Sequence, residues 1–81
     1  MITLEKAYEI ANEFYKTDEC YDGILEIRES QDNWLFEGRL KHTTYGTNNV
    51  CVPKNGEEPY LFNPNTNDQI WKDAMVIEYK S

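Results

Sequence analysis

The sequence predicts an α+β domain in which one N-terminal helix packs on an antiparallel sheet of four to five strands. Two observations predict it. Apolar residues recur with a helical period over residues 3–16, and from residue 24 onward they alternate in short runs separated by turn-forming residues. A chain of 81 residues is too short to divide into two self-sufficient cores, so we expect residues 1–81 to form a single domain.

The N-terminal helix has the clearest pattern in the chain. Its apolar positions are Leu4, Ala7, Tyr8, Ala11, Phe14 and Tyr15. They fall on one stripe, and Thr3 is placed to cap the first turn. Glu5, Glu9 and Glu13 follow one another at intervals of four on the outer side. They are either a solvated face or an acidic ridge for a partner, and we take them as candidate partner-binding residues.

The strands follow after a polar segment. Residues 24–29 and 34–40 alternate on either side of a turn at 30–33, which predicts a β-hairpin with Leu25 and Ile27 on one face of its first strand. Shorter strands are predicted at 50–52, 60–62 and 74–80, and residues 70–73 fit a helical turn or the start of the last strand. One helix covers one face of a sheet, so we expect the other face to be available. An unpaired edge at 50–52 or 74–80 would offer a surface for a homodimer.

The charge narrows the classes of partner. Fifteen acidic residues against eight basic ones give a net charge of -7, and the basic residues are scattered singly. This distribution disfavours nucleic acid and anionic membranes, whereas it suits a basic protein partner or simple solubility. No apolar run is long enough to span a membrane, and the chain opens without a signal-peptide pattern, so we expect a cytoplasmic protein.

The sequence lacks the groups of residues that usually carry catalysis. His42 is the only histidine, and it lies in a threonine-rich loop. Cys20 stands among acidic residues that disfavour a thiolate, and Cys51 is flanked by valines, so both are expected to be free thiols. No phosphate loop or zinc spacing occurs. We therefore expect a protein that is not an enzyme and that uses no cofactor or metal.

Residues 18–29 are similar to an EF-hand calcium loop. Asp18, Asp22, Gly23 and Glu29 match its positions 1, 5, 6 and 12. Cys20 at position 3 offers sulfur to a cation that prefers oxygen, and a hairpin is predicted where the exiting helix should begin. An acidic turn is the favoured interpretation. A small-ligand-binding module, for calcium here or for carbohydrate on exposed aromatic residues, is the alternative.

The chain has eleven aromatic residues, and we expect most of its large aromatic side chains to form the core and the rest to be available for a contact patch. Tyr45, Tyr60 and Trp71 flank loops and turns, so they are candidates for exposed partner-binding residues. Trp34 fits either the core or a contact surface.

Three features together resemble a known family. They are the helix that begins at residues 2–7, the hairpin whose second strand opens on Trp34 followed by Phe36, and the strand and turn at residues 60–68. This layout resembles the YrhB-like immunity proteins of bacterial toxin systems, small α+β domains that neutralise a toxin by binding it. The resemblance implies a stoichiometric inhibitor whose acidic surface covers a basic site on its partner. A phage anti-defence inhibitor would have the same features.

Overall fold

The computed structural model describes residues 1–41, 48–63 and 68–79. Its elements in chain order are α1 (Leu4–Lys16), β1 (Tyr21–Glu29), β2 (Asn33–Leu40), β3 (Asn49–Pro53), β4 (Tyr60–Phe62), α2 (Asp68–Lys72) and β5 (Met75–Ile77). The described strands form one antiparallel sheet in the order β4-β3-β2-β1-β5. The predicted α+β fold, with an N-terminal helix on an antiparallel sheet, is confirmed.

Helix α1 packs on one face of the sheet, called here the helix face. The Thr3 hydroxyl accepts the N–H of Lys6 at 3.3 Å and so caps the first turn, as predicted. Ala7, Ala11 and Tyr15 are buried against the strands, together with the following strand residues: Ile27, Phe36, Val50 and Val52. Small residues at two of these three helix positions let the helix lie close to the sheet.

Helix α1 and strand β2 approach each other closely at Gly38 of β2. A Cβ at this position would overlap Tyr15 Cε1 and would lie 2.5 Å from Tyr21 Cδ1. A glycine is therefore required for the two tyrosine rings to lie against the strand.

Strand β1 contains two irregularities that change which side chains reach the core. Between Tyr21 and Ile24, and again between Ile24 and Glu26, β1 has one more residue than the facing part of β2. Gly23, at φ +82°, accommodates the first of these bulges. As a result Ile24 packs on the core with Ile27, whereas Leu25, which was predicted to share one face with Ile27, is exposed.

The second face of the sheet is partly covered. Leu35, Cys51, Phe62 and Ala74 form a buried cluster there, and Ile70 and Trp71 of α2 pack against it. The expectation that this face is available is therefore wrong for the part that α2 covers, because residues 68–72 form a helix that packs there. The prediction of a helical turn at residues 70–73 is confirmed in part, since α2 ends at Lys72.

The edges of the sheet are β4 and β5, each three residues long. Residues 50–52 lie in β3, which pairs with β2 and β4, so the prediction of an edge there is wrong, whereas the edge predicted at 74–80 is present as β5. Short edge strands offer few unpaired backbone groups to a second chain. Among the described residues, no helix has the length and apolar character needed to cross a membrane.

Candidate functional site

A cavity of about 520 Å³ opens where α1 ends and β1 begins. Its volume lies within the range of roughly 300–1,000 Å³ that is typical of ligand sites. The described residues that line it are Phe14, Tyr15, Thr17, Asp18, Glu19, Cys20, Tyr21, Asn48 and Leu61. None of these lining residues is basic, and two of them are acidic.

The acidic mouth of the cavity is built by the way the chain leaves the helix. The Thr17 N–H donates to the Glu13 carbonyl at 3.2 Å as an ordinary helix bond, and the Thr17 hydroxyl donates to the Phe14 carbonyl at 3.0 Å, which satisfies a carbonyl of the last turn. One residue later, Asp18 Oδ1 accepts the N–H of Cys20 at 2.9 Å. This side-chain turn fixes Asp18 and places Glu19 beside it before the strand begins.

Two tyrosine rings form the floor of the cavity. The centroids of Tyr15 and Tyr21 lie 4.9 Å apart with the rings tilted at 51°. The Tyr15 hydroxyl lies 3.2 Å from the Phe36 carbonyl oxygen and 3.0 Å from that of Asn48, while the Tyr21 hydroxyl accepts the N–H of Asn48 at 2.9 Å. These bonds tie both rings to the strand backbone.

Burial, with smaller contributions from the neighbouring Tyr21 and Glu37, raises the pKa of Tyr15 well above its ordinary value. Its phenol therefore stays neutral at physiological pH and serves as a hydrogen-bond donor. The floor of the cavity is a fixed aromatic surface with no charge of its own.

Exposed apolar side chains border the cavity. Phe14 is 37% exposed and Leu61 is 48% exposed. Together with the polar residues around them they form what we call the helix-end surface, which consists of Glu13, Phe14, Thr17, Asp18, Glu19 and Leu61. Apolar residues ringed by charged ones are the usual composition of a protein contact surface.

The predicted acidic ridge lies on α1 and leads toward this surface. Glu5, Glu9 and Glu13 are all exposed. The Lys6 ammonium lies 3.7 Å from Glu9 Oε2, which offsets part of the ridge's charge. Glu13 is the residue that the ridge and the helix-end surface share, and it borders an apolar depression formed with Ile10 and Phe14.

The aromatic candidates are elsewhere in the fold. Tyr60 is 47% exposed on β4, and its side chain lies on the face opposite α1, beside Cys51. A hydrogen bond with the Cys51 thiol, assisted by burial, raises the pKa of Tyr60 to about 12. The acidic ridge and Tyr60 therefore lie on opposite sides of the sheet, and one flat interface cannot include both. Tyr45 lies outside the described residues.

Trp71 has a structural contact that its position in the sequence did not reveal. The Arg28 guanidinium carbon lies 4.1 Å from the centre of the Trp71 ring, and Arg28 Nη1 donates to the Trp71 carbonyl at 2.9 Å. Phe62 packs against the same ring at 6.3 Å. Trp71 is half-buried rather than exposed as predicted, because it holds α2 on the sheet.

Trp34 also makes contacts within the fold. Its indole Nε1 donates to the Ile2 carbonyl at 3.0 Å, and the Lys54 ammonium lies 4.5 Å from the ring centre and 2.6 Å from Glu29 Oε2. The ring also packs on the core of the helix face. These contacts place Trp34 at the edge of the core, where it anchors the N-terminal residues.

Residues 18–29 form a turn followed by strand β1, as the hairpin interpretation predicted. Because β1 begins at Tyr21, the backbone does not follow a calcium-binding loop and a helix. Within the described ranges, no group of three or more histidine, cysteine or acidic side chains is arranged to hold a metal ion. His42 lies outside those ranges.

The sequence pattern alone does not predict the helix-end surface. Phe14 belongs to the predicted apolar stripe of the helix, but in the structure it is the one member of that stripe that is exposed. Leu61 alternates with Tyr60 and Phe62, which indicates that it faces the helix side. The feature of the sequence that points to this surface is a phenylalanine at the end of the predicted helix, Phe14, followed within five residues by the acidic residues Asp18 and Glu19.

Scans against protein-family models, curated proteins and solved structures found no significant match to this chain.

Proposed function

We propose that this chain is a small acidic binding protein that inhibits a basic partner protein by occupying it in a one-to-one complex. The observation that carries the proposal is the helix-end surface, where exposed Phe14 and Leu61 are bordered by acidic residues. Apolar side chains at the centre of a contact supply affinity, and the acidic residues around them select a basic partner and steer its approach.

The layout of the sequence resembles that of YrhB-like immunity proteins, which motivates the same class of function with a bacterial toxin as the proposed partner. The net charge of -7 supports a partner whose active site or substrate groove is basic, for example one that handles nucleic acid. Carboxylates on a rigid scaffold occupy such a groove by matching the charge of phosphate, and no catalytic group is needed. A phage anti-defence inhibitor would act through the same surface and would differ only in the partner it retains.

Affinity capture tests the proposal. The tagged protein is exposed to lysate of its own host at low and at moderate salt, and the retained protein is identified and quantified. We expect a basic enzyme at near-equal amounts, with less retained as salt rises. The purified partner should lose activity in proportion to added inhibitor, with the endpoint near one equivalent.

Cys20 provides a footprint of the interface. It is exposed and lines the cavity, whereas Cys51 is buried and serves as an internal reference. In the complex, alkylation of Cys20 should slow several-fold while Cys51 stays unreactive. An unchanged alkylation rate in an intact complex would show that the partner binds elsewhere.

A further inference from the structure

Three features of the cavity favour a positively charged group. Asp18 and Glu19 stand at its mouth. Its walls include the exposed ring of Phe14 and small exposed parts of Tyr15 and Tyr21, and aromatic rings attract cations. It also lies at the C-terminal end of α1, which is the negative end of the helix dipole.

We propose that this cavity is the binding pocket for an arginine side chain of the partner protein. The proposal rests on the proposed function, since it names the group of a basic partner that the helix-end surface receives. Among the described lining residues none is basic, so the cavity holds no cation supplied by its own lining.

Arginine fits the lining better than lysine does. Its guanidinium is planar, stacks on aromatic rings and pairs with two oxygens at once, whereas an ammonium is a compact and strongly hydrated charge. Asp18 Oδ1 already accepts the Cys20 N–H at 2.9 Å, which holds the carboxylate in place and leaves Oδ2 for a ligand. The same structure uses this type of contact internally, where the Arg28 guanidinium stacks on Trp71 at 4.1 Å.

Acidic residues alone do not form a binding pocket, and the acidic ridge of α1 can be compared with the cavity in this respect. Glu5 and Glu9 lie on the open side of a helix, and Lys6 lies 3.7 Å from Glu9. The described residues that line the depression beside Glu9 include two lysines and no aromatic side chain. We therefore expect the cavity to bind an arginine side chain and the ridge to contribute only long-range attraction.

The test is an NMR titration of the whole chain with a blocked tripeptide, acetyl-Gly-Arg-Gly-amide. We expect saturable shifts of the backbone amides of residues 17–21, with smaller shifts from the lysine peptide. The citrulline peptide has nearly the same shape without the charge, and we expect no saturable shifts from it. Equal shifts from the arginine and citrulline peptides, or shifts confined to other residues, would overturn the proposal.

Two pairs of substitutions distinguish binding in the cavity from a general effect of negative charge. Asp18→Asn with Glu19→Gln removes two negative charges while the asparagine oxygen still accepts the Cys20 N–H. We expect this pair to weaken arginine-peptide binding about tenfold, because two charged partners of the guanidinium are lost. Glu5→Gln with Glu9→Gln removes the same charge from the ridge and should leave the dissociation constant within about twofold, as expected for screened charges at a distance. Equal effects of the two pairs would contradict a local pocket.

Phe14→Leu is a second, independent variant. It keeps an apolar side chain and removes the aromatic face, so we expect arginine-peptide binding to weaken roughly threefold to fivefold through loss of the cation–π contact. Unchanged binding in both Phe14→Leu and the Asp18/Glu19 pair would overturn the pocket. Partner capture that persists without peptide binding would leave the proposed function standing and remove the arginine pocket, whereas peptide binding without capture would support the pocket alone.

Discussion

Replacing Gly38 with alanine tests how closely α1 and β2 are packed. The added Cβ would overlap Tyr15 Cε1 and would lie 2.5 Å from Tyr21 Cδ1 and 2.8 Å from Tyr15 Cδ1. Neither ring is free to turn aside, because the Tyr15 hydroxyl contacts the Phe36 and Asn48 carbonyls and the Tyr21 hydroxyl accepts the Asn48 N–H. The rings must move together, or the helix must rise from the sheet.

The expected loss follows from three contributions. Overpacking a core by one methyl group costs about 1–3 kcal/mol. Each hydroxyl bond that is strained or lost adds about 1 kcal/mol. Alanine in place of glycine also restricts the unfolded chain, which stabilises the folded state by about 0.4–1 kcal/mol and offsets part of the loss. We therefore expect the free energy of unfolding to fall by about 2–3 kcal/mol, and Tm to fall by roughly 10–20 °C in a domain of this size.

Urea denaturation followed by tryptophan fluorescence measures the change. Arg39→Ala is the matched control, because Arg39 is an exposed neighbour on the same strand and its loss should change the free energy of unfolding by no more than about 0.5 kcal/mol. If Gly38→Ala is as stable as the wild type or more so, the close packing of Tyr15 and Tyr21 on β2 is wrong. We also expect this variant to weaken arginine-peptide binding, since both rings form the floor of the cavity.

Three further substitutions have defined outcomes. Tyr15→Phe keeps the ring and removes the buried hydroxyl, so we expect the free energy of unfolding in urea to fall by about 1–2 kcal/mol. Asn49→Leu replaces a fully buried amide that has no hydrogen-bond partner among the described residues, and we expect stability to rise by about 1–2 kcal/mol in the same assay. Burial and the facing Glu26 raise the pKa of Glu37, an effect that Arg28 partly opposes. We expect Glu37→Gln to raise stability at neutral pH by about 0.2–1 kcal/mol, as for removal of a like-charge cross-strand pair.

The sign of the Glu37 effect fixes its pH dependence. A raised pKa means that the folded state holds the proton more tightly than the unfolded chain does. The stabilising contribution of protonated Glu37 is therefore complete below its ordinary pKa of 4.5 and is lost as the pH rises through the folded value. The advantage of Glu37→Gln should disappear below that range in thermal melts. If the stability gain of Glu37→Gln grew as the pH fell, the raised pKa of Glu37 would be contradicted. A loss of stability in Asn49→Leu would contradict the conclusion that the Asn49 amide is unsatisfied.

Much of the fold follows from local patterns. Helix α1 is predictable because a 3.6-residue period, a threonine cap and an acidic first turn all agree. The hairpin of β1 and β2 is predictable from alternation around a polar turn. The exposure of Leu25 is not, because a bulge depends on how two strands pair and on the conformation of Gly23, which alternation within one strand does not record.

The site is less predictable than the fold. The acidic ridge can be read from one helix, since its three glutamates depend only on helical spacing. The cavity joins residues 14–21 to Asn48 and Leu61, which come together only when β4 adds to the sheet. The partial burial of Trp71 is unpredictable for the same reason, because the Arg28 side chain that stacks on it belongs to a strand distant in the sequence.

Capture by three baits side by side tests the central claim most directly, namely that the helix-end surface binds a basic partner. The baits are the wild type, the Asp18→Asn/Glu19→Gln pair and the Glu5→Gln/Glu9→Gln pair. The backbone amide NMR spectrum of each bait first verifies that it is folded. We predict that the wild type and the Glu5/Glu9 pair retain the same basic protein at near-equal amounts and that the Asp18/Glu19 pair loses most of it. Equal retention by all three baits, or a loss confined to the Glu5/Glu9 pair, would contradict the claim.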